Sequence, residues 1–101
     1  MASKEPTILT RNITPGAAGT RVSREKYELV RKAILAVVPT SKKGVLFKEL
    51  PKAVAERLPA DLFPKKGSVS WYATTVKLDL EARGFIERVP GVAPQRLRRL
   101  K

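Results

Sequence analysis

Apolar positions fall into three blocks of helical period followed by a short alternating tail. In the first block Tyr27, Val30, Ile34, Val37 and Val38 recur at three- and four-residue steps, ending in an adjacent pair, which makes one stripe of an amphipathic helix. Ser23 stands before it as an N-cap. Glu28 sits four residues ahead of Lys32, the favourable order for an exposed pair, and Pro39 stops the helix. The second block, Phe47, Leu50, Val54 and Leu58, predicts a helix from about Phe47 to Leu58. Pro51 is tolerated only near a first turn, so that helix begins at Lys48 or closer to Leu50. Between the two, Thr40 to Gly44 reads as a turn and Val45-Leu46 as one rung of sheet.

The third block predicts a helix from about Ser70 to Arg83, capped by Ser68 or Ser70 and closed by Gly84 at C′. On its wheel Trp71, Leu78 and Ala82 share one direction, and Ala73, Val76 and Leu80 share the opposite one. Two polar strips lie between them: Ser70, Thr74, Lys77 and Glu81 on one side, Tyr72, Thr75, Asp79 and Arg83 on the other. A helix apolar on two sides is expected to be wedged between other elements, which puts Trp71 in the core and the acids Asp79 and Glu81 on the surface. Phe85 to Val89 then reads as a strand, Pro90 to Pro94 as a loop, and Gln95 to Lys101 as the returning strand with Leu97 inward.

Residues 1–22 show no period. Pro6, Pro15, Gly16 and Gly19 punctuate them, so they read as an extended arm that Ile8, Ile13 and Val22 could tack to the body. The expected fold is therefore α+β: three helices, a short strand and a C-terminal β-hairpin, with an arm at 1–22 and one domain at 23–101. No internal repeat is visible.

This order resembles the winged helix-turn-helix superfamily, in which the hairpin is the wing. The run Leu80-Glu81-Ala82-Arg83-Gly84-Phe85-Ile86-Glu87-Arg88 is similar to the segment that closes the third helix and opens the wing in many of its members. The whole chain also resembles a small bacterial family of unknown function. That likeness rests on Thr10-Arg11-Asn12-Ile13-Thr14-Pro15-Gly16, Lys26-Tyr27-Glu28, Leu62-Phe63-Pro64 and Trp71 to Glu81; it implies a fold and no activity.

Composition narrows the chemistry. The 101 residues hold no His and no Cys, so histidine triads, thiol nucleophiles, disulfides and thiolate or histidine metal sites are excluded. No phosphate-binding glycine loop occurs. An enzyme is not expected, nor a cofactor or a small-molecule substrate. No apolar run reaches the roughly 18 residues of a membrane span, and cytoplasmic placement is the simplest expectation.

Lys and Arg number 21 against 9 Asp and Glu, a net charge of +12, which calls for an anionic partner. Duplex DNA is the expected one. The candidate contacts are Ser70, Thr74 and Lys77 on the third helix, and Arg88, Arg96, Arg98, Arg99 and Lys101 on the wing and tail, where four positive charges fall in the last six residues. Lys4, Arg11 and Arg21 give the arm a sparser charge, and Lys42-Lys43 and Lys65-Lys66 a general one. A transcriptional regulator or nucleoid-associated factor would follow. The alternative is a protein-interaction module on the same scaffold, using the arm and Leu62-Phe63. A homodimer is compatible with both.

Overall fold

The computed structural model describes residues 6–63 and 66–100, with Lys66 and Gly67 as backbone only. The chain runs β1 (Thr7–Leu9), β2 (Arg21–Ser23), α1 (Arg24–Val37), β3 (Val45–Leu46), a 3-10 turn (Phe47–Glu49), α2 (Leu50–Ala55), α3 (Lys66–Ala82), β4 (Ile86–Arg88) and β5 (Arg96–Arg99). It is a small mixed α+β unit with three α-helices and two small sheets among the described residues. No helix there is long and apolar enough to cross a membrane.

The helices meet at one core. Val30, Ile34 and Val38 from the α1 segment, Leu50 and Val54 from α2, and Val69, Val76 and Leu80 from α3 are buried together. Ile86 and Leu97 close the cluster from the sheet side. Ser23 caps α1, its hydroxyl accepting from the Lys26 amide at 3.4 Å. Pro51 explains the late start of α2. Its ring excludes helical approach to the carbonyl four residues back, so the chain takes a 3-10 turn and becomes α-helical at Leu50, with Pro51 in the first turn. The helix also ends at Ala55, three residues short of expectation, because the chain tightens into shorter-range bonds such as Arg57 N–H to the Val54 carbonyl (2.9 Å) before Pro59.

Helix α3 begins four residues earlier than its serines suggest and ends where Gly84 requires. Gly84 has φ +82°. The Phe85 amide donates to the Leu80 carbonyl (3.0 Å) and the Gly84 amide to the Glu81 carbonyl (3.2 Å), the paired bonds of a Schellman end.

In the three-stranded sheet the order is β3-β5-β4, all antiparallel, with Val45 opposite Leu97 and Glu87 opposite Arg98. The last strand therefore lies in the middle, and the hairpin β4-β5 is anchored to the body through β3.

The arm departs from its expected extended form. It folds back as a hairpin in which Thr7 faces Ser23 and Ile8 faces Val22. Strands of three residues are too short to register as an alternation, which is why composition alone shows only punctuation. Thr10 and Thr20 clamp the pair through their backbone and the Thr10 hydroxyl at 2.9–3.0 Å. A Cβ on Gly19 would lie 1.6 Å from the Thr10 carbonyl oxygen, so only glycine permits that approach. Val22 is buried and Ile8 packs against the core, whereas Ile13 is exposed. Arm and body share one core.

Candidate nucleic-acid interface

Helix α3 is covered on one of its two apolar sides. Val69, Ala73, Val76 and Leu80 are buried. Trp71, expected in the core, is 47% exposed, and Leu78 is half-buried. The wedged-helix expectation fails because α1 and α2 both pack onto the Val76–Leu80 side, while the arm crosses α3 at Asp79 instead of covering Trp71. The indole is nevertheless held in place. It stands edge-on to Tyr72 (centroids 5.1 Å, 86°), which stands edge-on to Phe63 (5.5 Å, 89°). The Lys26 amine lies 5.9 and 6.0 Å from the Phe63 and Tyr72 ring centres, within cation–π range.

The second correction concerns the charged half of the helix. Lys77, a candidate DNA contact, is 2% exposed. Its ammonium pairs with Glu81 Oε2 at 3.1 Å and rests over the Phe47 ring at 4.6 Å. Arg88 from β4 reaches the other Glu81 oxygen at 3.2 Å. Burial lowers the Lys77 pKa from its usual value, opposed by the hydrogen bond and charge of Glu81. A group so placed cannot meet a phosphate.

Asp79, expected as a surface acid, is fully buried. It accepts from Arg83 Nε at 2.9 Å to each oxygen, from the Tyr27 hydroxyl at 2.5 Å, and from the Arg11 backbone amide at 2.8 Å. One carboxylate thereby ties α3 to α1 and to the arm. Burial pushes the Tyr27 hydroxyl up to about 12, and the adjacent Asp79 adds to the shift. The Asp79 hydrogen bond holds the Arg83 guanidinium above its usual range.

Asp79 and Glu81 are the only acids in α3, and both are buried. The exposed part of its N-terminal half, Ser70, Trp71 and Thr74, thus carries no carboxylate. A signal for the pairing, though not for the burial, was present in the sequence. Lys77–Glu81 and Asp79–Arg83 are interleaved pairs four apart, the spacing at which helical side chains meet.

The basic tail is built into the sheet. Arg98 donates to Glu87 Oε2 at 2.5 Å across the β4-β5 pair. Arg99 donates through Nε to the Val38 carbonyl at the end of α1 (3.2 Å) and through its amide to the Pro39 carbonyl (2.8 Å). Arg96 reaches the Gly44 carbonyl at 3.5 Å. All three are half-buried, while the Arg88 side chain stays 53% exposed. Arg98 and Arg99 therefore stabilise the sheet and the end of α1 and do not form a free basic tail. Lys101, like Lys4 and Lys65, lies outside the described residues.

Positive charge of another origin borders α3. A cleft of about 590 Å³ opens between α2 and the start of α3, floored by Pro51, Leu58, Phe63 and Val69. Lys48, Lys52 and Ser70 also line it, and no acid among the described residues does. The motif pattern singled out neither lysine, because a lysine on a short helix reads as ordinary solvated charge.

A model of a family of unknown function, DUF6958, matches residues 7–97. The chain belongs to that family. The match takes in the arm hairpin and every helix, and runs into β5, so the likeness to an uncharacterised family seen in the sequence extends across the DUF6958 fold. No curated protein and no solved structure matches it.

Proposed function

We propose that this DUF6958 protein binds DNA on a winged helix-turn-helix scaffold, as a transcriptional regulator or a nucleoid-associated factor. The order helix, strand, helix, helix, hairpin supports the scaffold, with β4-β5 as the wing and α3 as the recognition helix. The observation that carries the reading is the acid-free exposed half of α3 in a chain of net charge +12. Burying Asp79 and Glu81 with cationic partners removes from this helix the groups that would repel phosphate. Ser70 and Thr74 supply hydroxyls for phosphates or base edges, and Lys48 and Lys52 supply the flanking charge.

The test is a duplex titration across salt concentrations. Each neutralised phosphate contributes about 0.9 to the slope of log affinity against log salt. Lys48→Glu/Lys52→Glu should weaken binding and flatten the slope by about 0.9 for each lysine in contact. No binding to DNA at low salt, duplex or single-stranded, would overturn the reading. Charge reversal of Arg98 or Arg99 is a poorer test, because it also breaks sheet contacts.

A protein-interaction role is favoured by one separate observation. Exposed Ile13 (46%) and Leu100 (49%) line a cleft of about 560 Å³ between the arm loop and β4. Sedimentation showing a homodimer lost on Ile13→Asp/Leu100→Asp would support it.

A further inference from the structure

Trp71 is the aromatic residue that stands out. It is exposed by nearly half on the helix face that carries no acid, and it plays no part in the core. We infer that Trp71 is a stacking platform for an unpaired nucleic-acid base, so that the preferred target is single-stranded or locally opened DNA instead of intact duplex. This rests on the DNA-binding reading and specifies its substrate.

Three features favour a base over another occupant. The first is rigidity. Tyr72 packs edge-on against the indole, and Phe63 against Tyr72. The platform is thus held before binding, and less side-chain freedom is lost on contact. The second is charge. The neighbouring exposed positions Ser70 and Thr74 are neutral donors and acceptors, the Lys26 ammonium lies 6.0 Å from the Tyr72 ring, and Lys48 and Lys52 line the cleft that Ser70 shares. A backbone following a stacked base would meet cations and hydroxyls. The third is area. A tryptophan buries on the order of 200 Å² at most, so this one has about half of that to offer. That fits one base, and it is far below the roughly 800 Å² per partner of a stable protein interface.

Stacking of a base on an aromatic side chain depends on a flat π face and tolerates any base, so little sequence preference is expected at this position. The hydroxyls of Ser70 and Thr74 are then left for the phosphates on either side. Arg88 and the sheet arginines play no part in this contact.

Trp71 is the only tryptophan in the chain, so its emission reports the contact directly. The experiment titrates the full chain at low salt with an oligothymidylate of about 16 nucleotides, the upper end of a single-fold site, and with a blunt duplex of similar length. Affinities of wild type, Trp71→Phe and Trp71→Ala are read from the anisotropy of labelled DNA, with circular dichroism confirming that each variant is folded. The expected result is quenching of wild-type emission by the oligothymidylate and a stronger affinity for it than for duplex. Trp71→Ala should bind it about tenfold or more weakly, and Trp71→Phe within about threefold of wild type. Binding with unchanged emission, or Trp71→Ala binding like wild type, would overturn the inference. Duplex binding without single-strand binding would overturn it and leave the DNA-binding reading standing. Absence of binding to either DNA would overturn both. Self-association without DNA, seen by sedimentation and lost in Trp71→Ala, would overturn the inference and assign the residue to a dimer contact instead.

Discussion

The two halves of α3 invert the usual relation between charge and exposure. The C-terminal half holds Lys77, Asp79 and Glu81, and all three are buried. The N-terminal half holds Ser70, Trp71 and Thr74, and all three are exposed, the largest of them aromatic. Burial of a charge is expensive unless it is paired and hydrogen-bonded. Asp79 meets both conditions through Arg83, Tyr27 and the Arg11 amide, while Lys77 is paired with Glu81, and Glu81 with Arg88 as well. Among the described residues no element packs over Trp71, which is 47% exposed, so the character of the N-terminal half is set by what solvent or a partner offers. One half fastens the arm and the hairpin to the helix. The other keeps Ser70, Trp71 and Thr74 at the surface.

The largest effect should come from breaking the fastened half. Asp79→Ala leaves Arg83, Tyr27 and the Arg11 amide without their acceptor. Loss of one partner of a buried pair costs about 3–5 kcal/mol, and the partial exposure of Arg83 (27%) places this change near the lower figure. Urea unfolding measures it, and amide exchange in the arm should rise with it. Glu81→Gln comes next, at about 2–3 kcal/mol. It leaves the Lys77 ammonium buried beside Arg88, and the deficit should shrink as pH rises and Lys77 loses its proton.

A smaller effect is pH-dependent. Tyr27 titrates near 10 unfolded and at about 12 folded, so the folded state holds the proton through that window. Its contribution is full below pH 10 and is lost as pH rises toward 12, on the order of 2 kcal/mol. Tyr27→Phe should remove that alkaline slope while leaving the stability at pH 7 lowered by the lost hydrogen bond. Urea midpoints at pH 7.5 and about 11 compare the two. The smallest effect belongs to the exposed half: Trp71→Ala should cost about 1 kcal/mol or less, as for an exposed site. A loss as large as that of Asp79→Ala would erase the contrast between the halves.

Much of the frame was legible in residue patterns. The α1 stripe, its Ser23 cap, the rung Val45-Leu46 and the Gly84 ending all depend on local chemistry, and each stands where the pattern placed it. The C-terminal hairpin followed from two candidate strands joined by a Pro/Gly loop. What the pattern could not show depends on contacts distant in sequence. The wheel of α3 offers two apolar sides of similar weight, and which is buried is decided by where α1, α2 and the arm dock. Asp79 becomes an internal acceptor because Tyr27, 52 residues away, and Arg11, 68 residues away, arrive there. Lys77 lies inward beside Glu81, whose other oxygen is met by Arg88 from β4. The sheet arginines were misplaced for a related reason: counting charges in the last six residues ignores that β5 is the central strand, where their guanidinium groups find Glu87 and the end of α1.

The central claim is that the exposed, acid-free half of α3 is the surface that meets DNA. Thr74→Glu tests it most directly, because it returns one carboxylate to that face at an exposed position without touching the buried network. The thermal midpoint should stay within about 2 °C of wild type, as for an exposed substitution, while affinity for DNA at low salt falls about tenfold or more through repulsion of phosphate and loss of the hydroxyl. A folded Thr74→Glu protein that binds DNA as tightly as wild type would contradict the account.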